Sequence, residues 1–153
     1  DDLLSQIYAQ LGEYKEAYAL AEQLYELTDN KDYKAKMAIY KYEFSKTKNI
    51  EQIIRLFEES VYELDNSVYY NYYGYILIDH DINIYKGLEL VLKAYELNSK
   101  SPYIIDSVAW GYYKLKRCDE AMEWIDKITP EYLEQKEFKA HYNKIKKCIK
   151  EKR

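Results

Sequence analysis

The chain is poor in punctuation. Four glycines and two prolines among 153 residues argue against an all-β protein with many tight turns and for long helices joined by short connections. Cysteine is also scarce. Cys118 and Cys148 show no Cys-x-x-Cys spacing and no histidine in ligand register, so neither a disulfide framework nor a zinc site is expected. No apolar run approaches the length of a membrane-spanning helix, and no signal peptide is visible. His80 and His141 lie far apart in sequence, and Ser5 and Ser107 have no evident base. There is no glycine-rich phosphate loop and no His-Glu-x-x-His. Asp79-His80-Asp81 reads as an exposed polar turn, and Asp119, Glu120 and Glu123 as solvated helix surface. The expectation is a protein without catalysis, cofactor or metal.

What is present is enough apolar content to fold. At 48% hydrophobic and 33% charged residues, the chain is not a disordered tail. Tyrosine is abundant, with 20 residues, and can serve a core and a binding groove together, being an apolar body with a polar tip. The net charge of −4 is unevenly spread: residues 1–30 carry −6 and residues 131–153 carry +4. Such polarity reads as solvated faces. The lysines of the tail (Lys144, Lys146, Lys147, Lys150, Lys152) with Arg153 could attract nucleic acid, but the acidic first half works against that, and no nucleic-acid partner is expected.

The strongest signal is periodic. Gly87 and Ala94 are followed 34 residues later by Ala121 and Ile128. Small residues recurring at that interval mark stacked helix–turn–helix units. In residues 1–30, Leu4, Ile7, Tyr8 and Leu11 share one helical face, Gly12 turns the chain, and Ala17, Leu20, Ala21, Leu24 and Leu27 mark the second helix. Residues 31–66 repeat the plan with Met37, Tyr40 and Phe44, then Ile53, Phe57 and Ser60, with Asn49 as N-cap; Lys41 stands where a small residue is expected. Residues 67–100 offer Tyr70, Tyr73, Gly74 and Leu77, then Gly87, Val91 and Ala94. Residues 101–129 offer Ile105, Val108, Ala109 and Tyr112, then Ala121, Ile125 and Ile128, with Pro102 suited to a first helical turn. Pro130 stops the pattern. Residues 131–150 read as one long polar helix with a thin stripe of Leu133, Phe138, Tyr142, Ile145 and Ile149, so 130–153 is the expected cap over the last exposed core face. Asp1 falls inside a repeat, so a longer parent protein is expected.

These residues resemble the tetratricopeptide repeat family, whose pattern is Trp-x2-Leu-Gly-x2-Tyr, then Ala-x3-Phe, then Pro. The matches are Tyr70-x2-Tyr73-Gly74-x2-Leu77 with Gly87-x3-Val91, and Ile105-x2-Val108-Ala109-x2-Tyr112 with Ala121-x3-Ile125. Met37-x2-Tyr40-Lys41-x2-Phe44 with Ile53-x3-Phe57 is a looser one, and the first pair keeps Tyr8 and the run from Leu11 to Ala17. The resemblance implies an all-α, right-handed solenoid of about four helix pairs plus a cap. Within that family, Gly74-Tyr75-Ile76-Leu77 followed by Ile105-Asp106-Ser107-Val108-Ala109-Trp110 is similar to a bacterial group with Gly-Tyr-x-Leu and Leu-Asp-Ser-Leu-Gly-Trp, often exported or lipid-anchored. That likeness implies a bacterial source and a cell-envelope setting.

The family's first helices line a concave groove, which implies a protein- or peptide-binding scaffold. The residues expected to face it are Tyr42, Asn71, Tyr75, Asp106, Trp110 and Tyr113, with Tyr42, Tyr75 and Trp110 at one repeat position. Rigid aromatics supply contact area, and an Asn amide can bond a peptide backbone. Relatives that grip a C-terminal carboxylate use Lys, Asn and Arg there. This chain has Asp2, Gln6, Ala38, Tyr42, Asn71 and Tyr75 at those places, so that mode is disfavoured. The alternative is a structural spacer or homo-oligomerisation module of a larger envelope protein. On the groove reading, Trp110→Ala is expected to weaken binding and leave stability nearly unchanged.

Overall fold

The computed structural model describes residues 2–152; the expectations placed on Asp1 and Arg153 lie outside them. The described residues are helical and contain no strand. They divide into two compact units, Asp1–Tyr69 and Tyr70–Arg153.

The first unit holds α1 (Asp2–Gln10), α2 (Tyr14–Thr28), α3 (Lys31–Ser45) and α4 (Ile50–Glu58), with short 3-10 turns at Lys46–Asn49 and Val61–Glu63. Gly12 joins α1 to α2 at φ +77°, a left-handed conformation that glycine adopts freely. The first helix corrects the sequence reading. Leu4, Ile7 and Leu11, expected to form the inner stripe, are exposed at 41%, 42% and 68%, and the buried residue of α1 is Ser5. The reason is steric. Ser5 is small enough to sit where α1 meets α2, and its hydroxyl donates to the Ala17 carbonyl at 3.1 Å, so the register follows the small side chain rather than the greasiest face. Leu27, assigned to the α2 stripe, is exposed as well, while Ala17 and Ala21 are fully buried.

Asn30 caps α3 by accepting the Asp32 amide at 3.0 Å. Met37 and Tyr40 then pack with Ala17 and Ala21, and Ile53, Phe57 and Ser60 are buried as expected. Asn49 is the N-cap residue of α4 but makes no side-chain cap bond. Lys41 is half-buried, with its ammonium 5.2 Å from the Tyr18 ring centre, and Ala35 and Ala38 of the same helix are fully buried. The Tyr69 hydroxyl donates to Asp32 at 2.6 Å, and Lys36 pairs with both Asp32 and Asp2. Burial and that acidic partner push the Tyr69 phenol well above its usual range.

The second unit takes up within α5 (Ser67–Asp79) and continues through α6 (Ile84–Leu97), α7 (Pro102–Lys114), α8 (Cys118–Ile125), α9 (Pro130–Leu133) and α10 (Lys136–Lys152). The glycines explain its tightest crossing. A Cβ on Gly74 would meet the Gly87 carbonyl oxygen at 2.7 Å, and a Cβ on Gly87 would meet the Gly74 carbonyl oxygen at 2.6 Å. Asp81 and Lys116 take the left-handed conformation in the α5–α6 and α7–α8 turns, as Gly12 does between α1 and α2. Pro102 begins α7, as read from the sequence, and Ser101 caps it by accepting the Ile104 amide. Ala109, Ala121, Ile125 and Ile128 form one core with Phe138 and Ile145 of α10.

The cap corrects two expectations. The segment after Pro130 is not one helix: it breaks after Leu133 and restarts at Lys136, which lets α10 set its own angle against α7 and α8. That angle brings together two cysteines with no local motif. Cys118 at the start of α8 and Cys148 on α10 form a disulfide, with Cα atoms 5.9 Å apart, inside the range such bonds require. With a sequence separation of 30, the closed loop stabilises the fold by about 3–4 kcal/mol on a chain-entropy estimate. The double variant Cys118→Ser/Cys148→Ser is therefore expected to unfold at clearly lower urea; an unchanged midpoint would show that the bond contributes nothing. No helix among the described residues is long and apolar enough to cross a membrane.

Candidate functional site

The second unit collects most of the sequence-derived site. Asn71 and Tyr75 are one turn apart on α5, and Asp106, Trp110 and Tyr113 follow at helical spacing on α7. Tyr75, Asp106 and Trp110 meet around His141 of α10, and Tyr113 joins them through Trp110. The His141 ring stacks on Trp110, with centroids 4.1 Å apart and planes at 17°. Its Nδ1 lies 2.9 and 3.0 Å from the two Asp106 carboxylate oxygens. Its Nε2 faces the Tyr75 hydroxyl at 3.5 Å. The carboxylate favours the proton on Nδ1, which fixes the tautomer and turns the other nitrogen towards Tyr75.

Trp110 is the hub. Tyr113 also stacks on it, at 4.7 Å and nearly parallel, and the indole N–H donates to Asp79 at 3.1 Å. The Lys114 and Lys144 ammonium groups lie 5.6 and 5.4 Å from the Trp110 ring centre. Lys114 further bonds Asp81 and the Asp79 carbonyl, which ties the α5–α6 turn to the end of α7. Burial pushes the Asp106 carboxyl above its ordinary range, and the hydrogen bond and charge of His141 pull against that shift.

Exposure separates these residues. Trp110 and Asp106 are buried, at 5% and 6%, while Asn71, Tyr75 and Tyr113 are half-buried. This corrects the expectation that Trp110→Ala would spare stability. The buried Asn71 side-chain oxygen has no hydrogen-bond partner among the described residues. Tyr42 belongs to the first unit, on α3, half-buried with the Lys46 ammonium 4.8 Å from its ring centre. His141 was legible in part: it falls between Phe138 and Ile145 at i+3 and i−4, on the face of α10 that carries the core. Asp79, which anchors the indole, gave no signal, because turn aspartates are ordinarily solvated.

Helices paired in this way, with small residues at each crossing and no strand among the described residues, define an α-solenoid repeat protein. The repeats resemble the tetratricopeptide type. No family model matches the chain. Over 70 residues, 46% of this chain, it is 33% identical to the TPR repeat-containing protein PA4667 of Pseudomonas aeruginosa, and the match spans 12% of that protein's length. Its fold is similar to the solved structure of MamA AMB-1 in the P212121 form, with a TM-score of 0.70 at 18% identity over 98% of this chain and 94% of that one. MamA MSR-1 in the C2 form is comparable, with a TM-score of 0.68 at 18% identity over 97% and 94%.

Proposed function

We propose that the chain is a non-catalytic protein-binding scaffold whose second unit recognises a peptide or helix on the face carrying Asn71, Tyr75, Asp106, Trp110 and Tyr113, with Tyr42 in the corresponding role on the first unit. The observation that supports this most is the grip on His141. An aromatic side chain from another helix lies over Trp110, is oriented by Asp106 and is met by Tyr75. What a partner's side chain would meet is the half-buried aromatic rings of Tyr75 and Tyr113 beside that arrangement. Trp110 and Asp106 shape the face from beneath. Asn71, Tyr75 and Tyr113, all half-buried, make its contacts.

A second reading, a spacer or oligomerisation module within a larger bacterial envelope protein, is favoured by one observation: the exposed Leu3, Leu4 and Ile7 of α1 with Leu11 in the turn after it. Capture of binding proteins from the source cell by wild type, Tyr75→Ala and Asn71→Ala separates the two. The scaffold reading expects at least a tenfold loss of the captured partner with the melting temperature little changed. A folded Tyr75→Ala that still captures it, or light scattering showing a concentration-dependent dimer and no partner, would favour the second reading.

A further inference from the structure

A cavity of about 680 Å³ lies between the end of α7, the start of α8 and the last turns of α10, and shares only Tyr113 with the face just described. Its walls carry five lysines, Lys114, Lys116, Lys144, Lys147 and Lys152, against the single carboxylate of Glu151. Asp81 and Asp119 reach Lys114 and Lys152 at its rim. Counting both, a surplus of two positive charges remains; counting only the lining, it is four. Two of the ion pairs, Lys147–Glu151 and Lys152–Asp119, join largely exposed groups at 3.8 and 3.5 Å and are readily exchanged for a better anion. The Cys118–Cys148 disulfide joins the α8 and α10 walls, so the two groups of lysines are held across a preformed space.

We infer that this cavity binds a compact anion of linked phosphates, such as a nucleoside triphosphate or a short polyphosphate. A concave, charge-lined space of this volume is the size of a small-molecule site and concentrates the field of its lysines. Lysine acts as a point charge and rewards charge density, whereas planar carboxylates are best matched by the arginine fork, which the lining lacks. Linked phosphates bring three or four charges in a volume the cavity admits. An acidic peptide brings one charge per residue and would have to thread a run of acids between the walls. The inference does not depend on the protein-binding reading.

Calorimetric titration of the full chain with sodium tripolyphosphate and with ATP, without magnesium, tests it. Both are expected to bind at one site, several-fold more weakly at 300 mM than at 50 mM salt. Lys144→Glu/Lys147→Glu, on exposed positions of α10, is expected to weaken binding at least tenfold, and Lys144→Gln/Lys147→Gln to a smaller extent. Lys136→Glu/Lys139→Glu changes the net charge equally outside the cavity and is expected to leave affinity within about twofold. Equal affinity for the two anions means the phosphates alone are recognised; tighter ATP binding adds the base. Absence of binding by both anions, equal loss in the two Glu variants, or tighter binding of a hexaglutamate peptide than of tripolyphosphate overturns the inference.

Discussion

Gly87→Leu is expected to destabilise the second unit by about 3 kcal/mol or more, and Gly87→Ala to destabilise it despite alanine's better helix propensity. Two effects of opposite sign compete at this position. Inside a helix, alanine is favoured over glycine by about 1 kcal/mol. Against that, a Cβ at Gly87 would fall 2.6 Å from both the Gly74 carbonyl oxygen and Ile78 Cγ1, and 3.2 Å from the Ile78 amide nitrogen. Backbone atoms of a packed helix cannot retreat as the tip of a flexible side chain can, so α5 and α6 must separate. Overpacking of this kind typically costs about 1–3 kcal/mol for added methylenes, and more where backbone must move. Gly12→Ala provides the contrast. Nothing lies within 4 Å of a Cβ there, and only the left-handed φ of +77° resists it, at about 1–2 kcal/mol. Urea melts of the three variants should rank Gly87→Leu below both alanine variants. A Gly87→Ala as stable as wild type would mean that the two helices cross elsewhere.

The same crossings explain what could be read from sequence. Gly74, Gly87, Ala109 and Ala121 announce themselves because only a small side chain fits where backbones nearly touch, and their interval gives the helix pairs directly. Where the small residue is polar, as at Ser5, the signal is hidden behind more hydrophobic neighbours and the register slips. The helix faces were legible too, since periodicity fixes which residues share a side. The angle between helices distant in sequence was not. It placed His141 against Asp106 and Cys148 against Cys118, and it follows from the break between Leu133 and Lys136, where no proline or glycine stands to mark it. Helical spacing on α5 and α7 therefore groups Tyr75, Asp106, Trp110 and Tyr113 but carries no sign of the His141 ring that α10 lays on Trp110.

Trp110→Ala measures how much that ring arrangement contributes. Truncating a buried tryptophan typically destabilises by about 3–5 kcal/mol, and here three further losses accompany it. The stacks on His141 and Tyr113 disappear, each worth about 0.5–1.5 kcal/mol beyond area. Asp79 loses the indole N–H, and the lysines beside the ring lose its face. These are not additive, because part of each is already counted in the truncation. The expected net is at the upper end of the range, a fall in melting temperature of roughly 10–20 °C for a chain of this size. Trp110→Phe keeps an aromatic stack and loses the Asp79 bond, so it should fall by much less. His141→Ala removes one ring and leaves Asp106 buried beside no cation or donor from α10, so its deficit should widen as pH rises through the Asp106 titration, where that carboxylate must carry its charge with the His141 hydrogen bond gone. A Trp110→Ala protein that melts like wild type would mean that α10 does not close over α7, and the proposed face would then be open along its whole length.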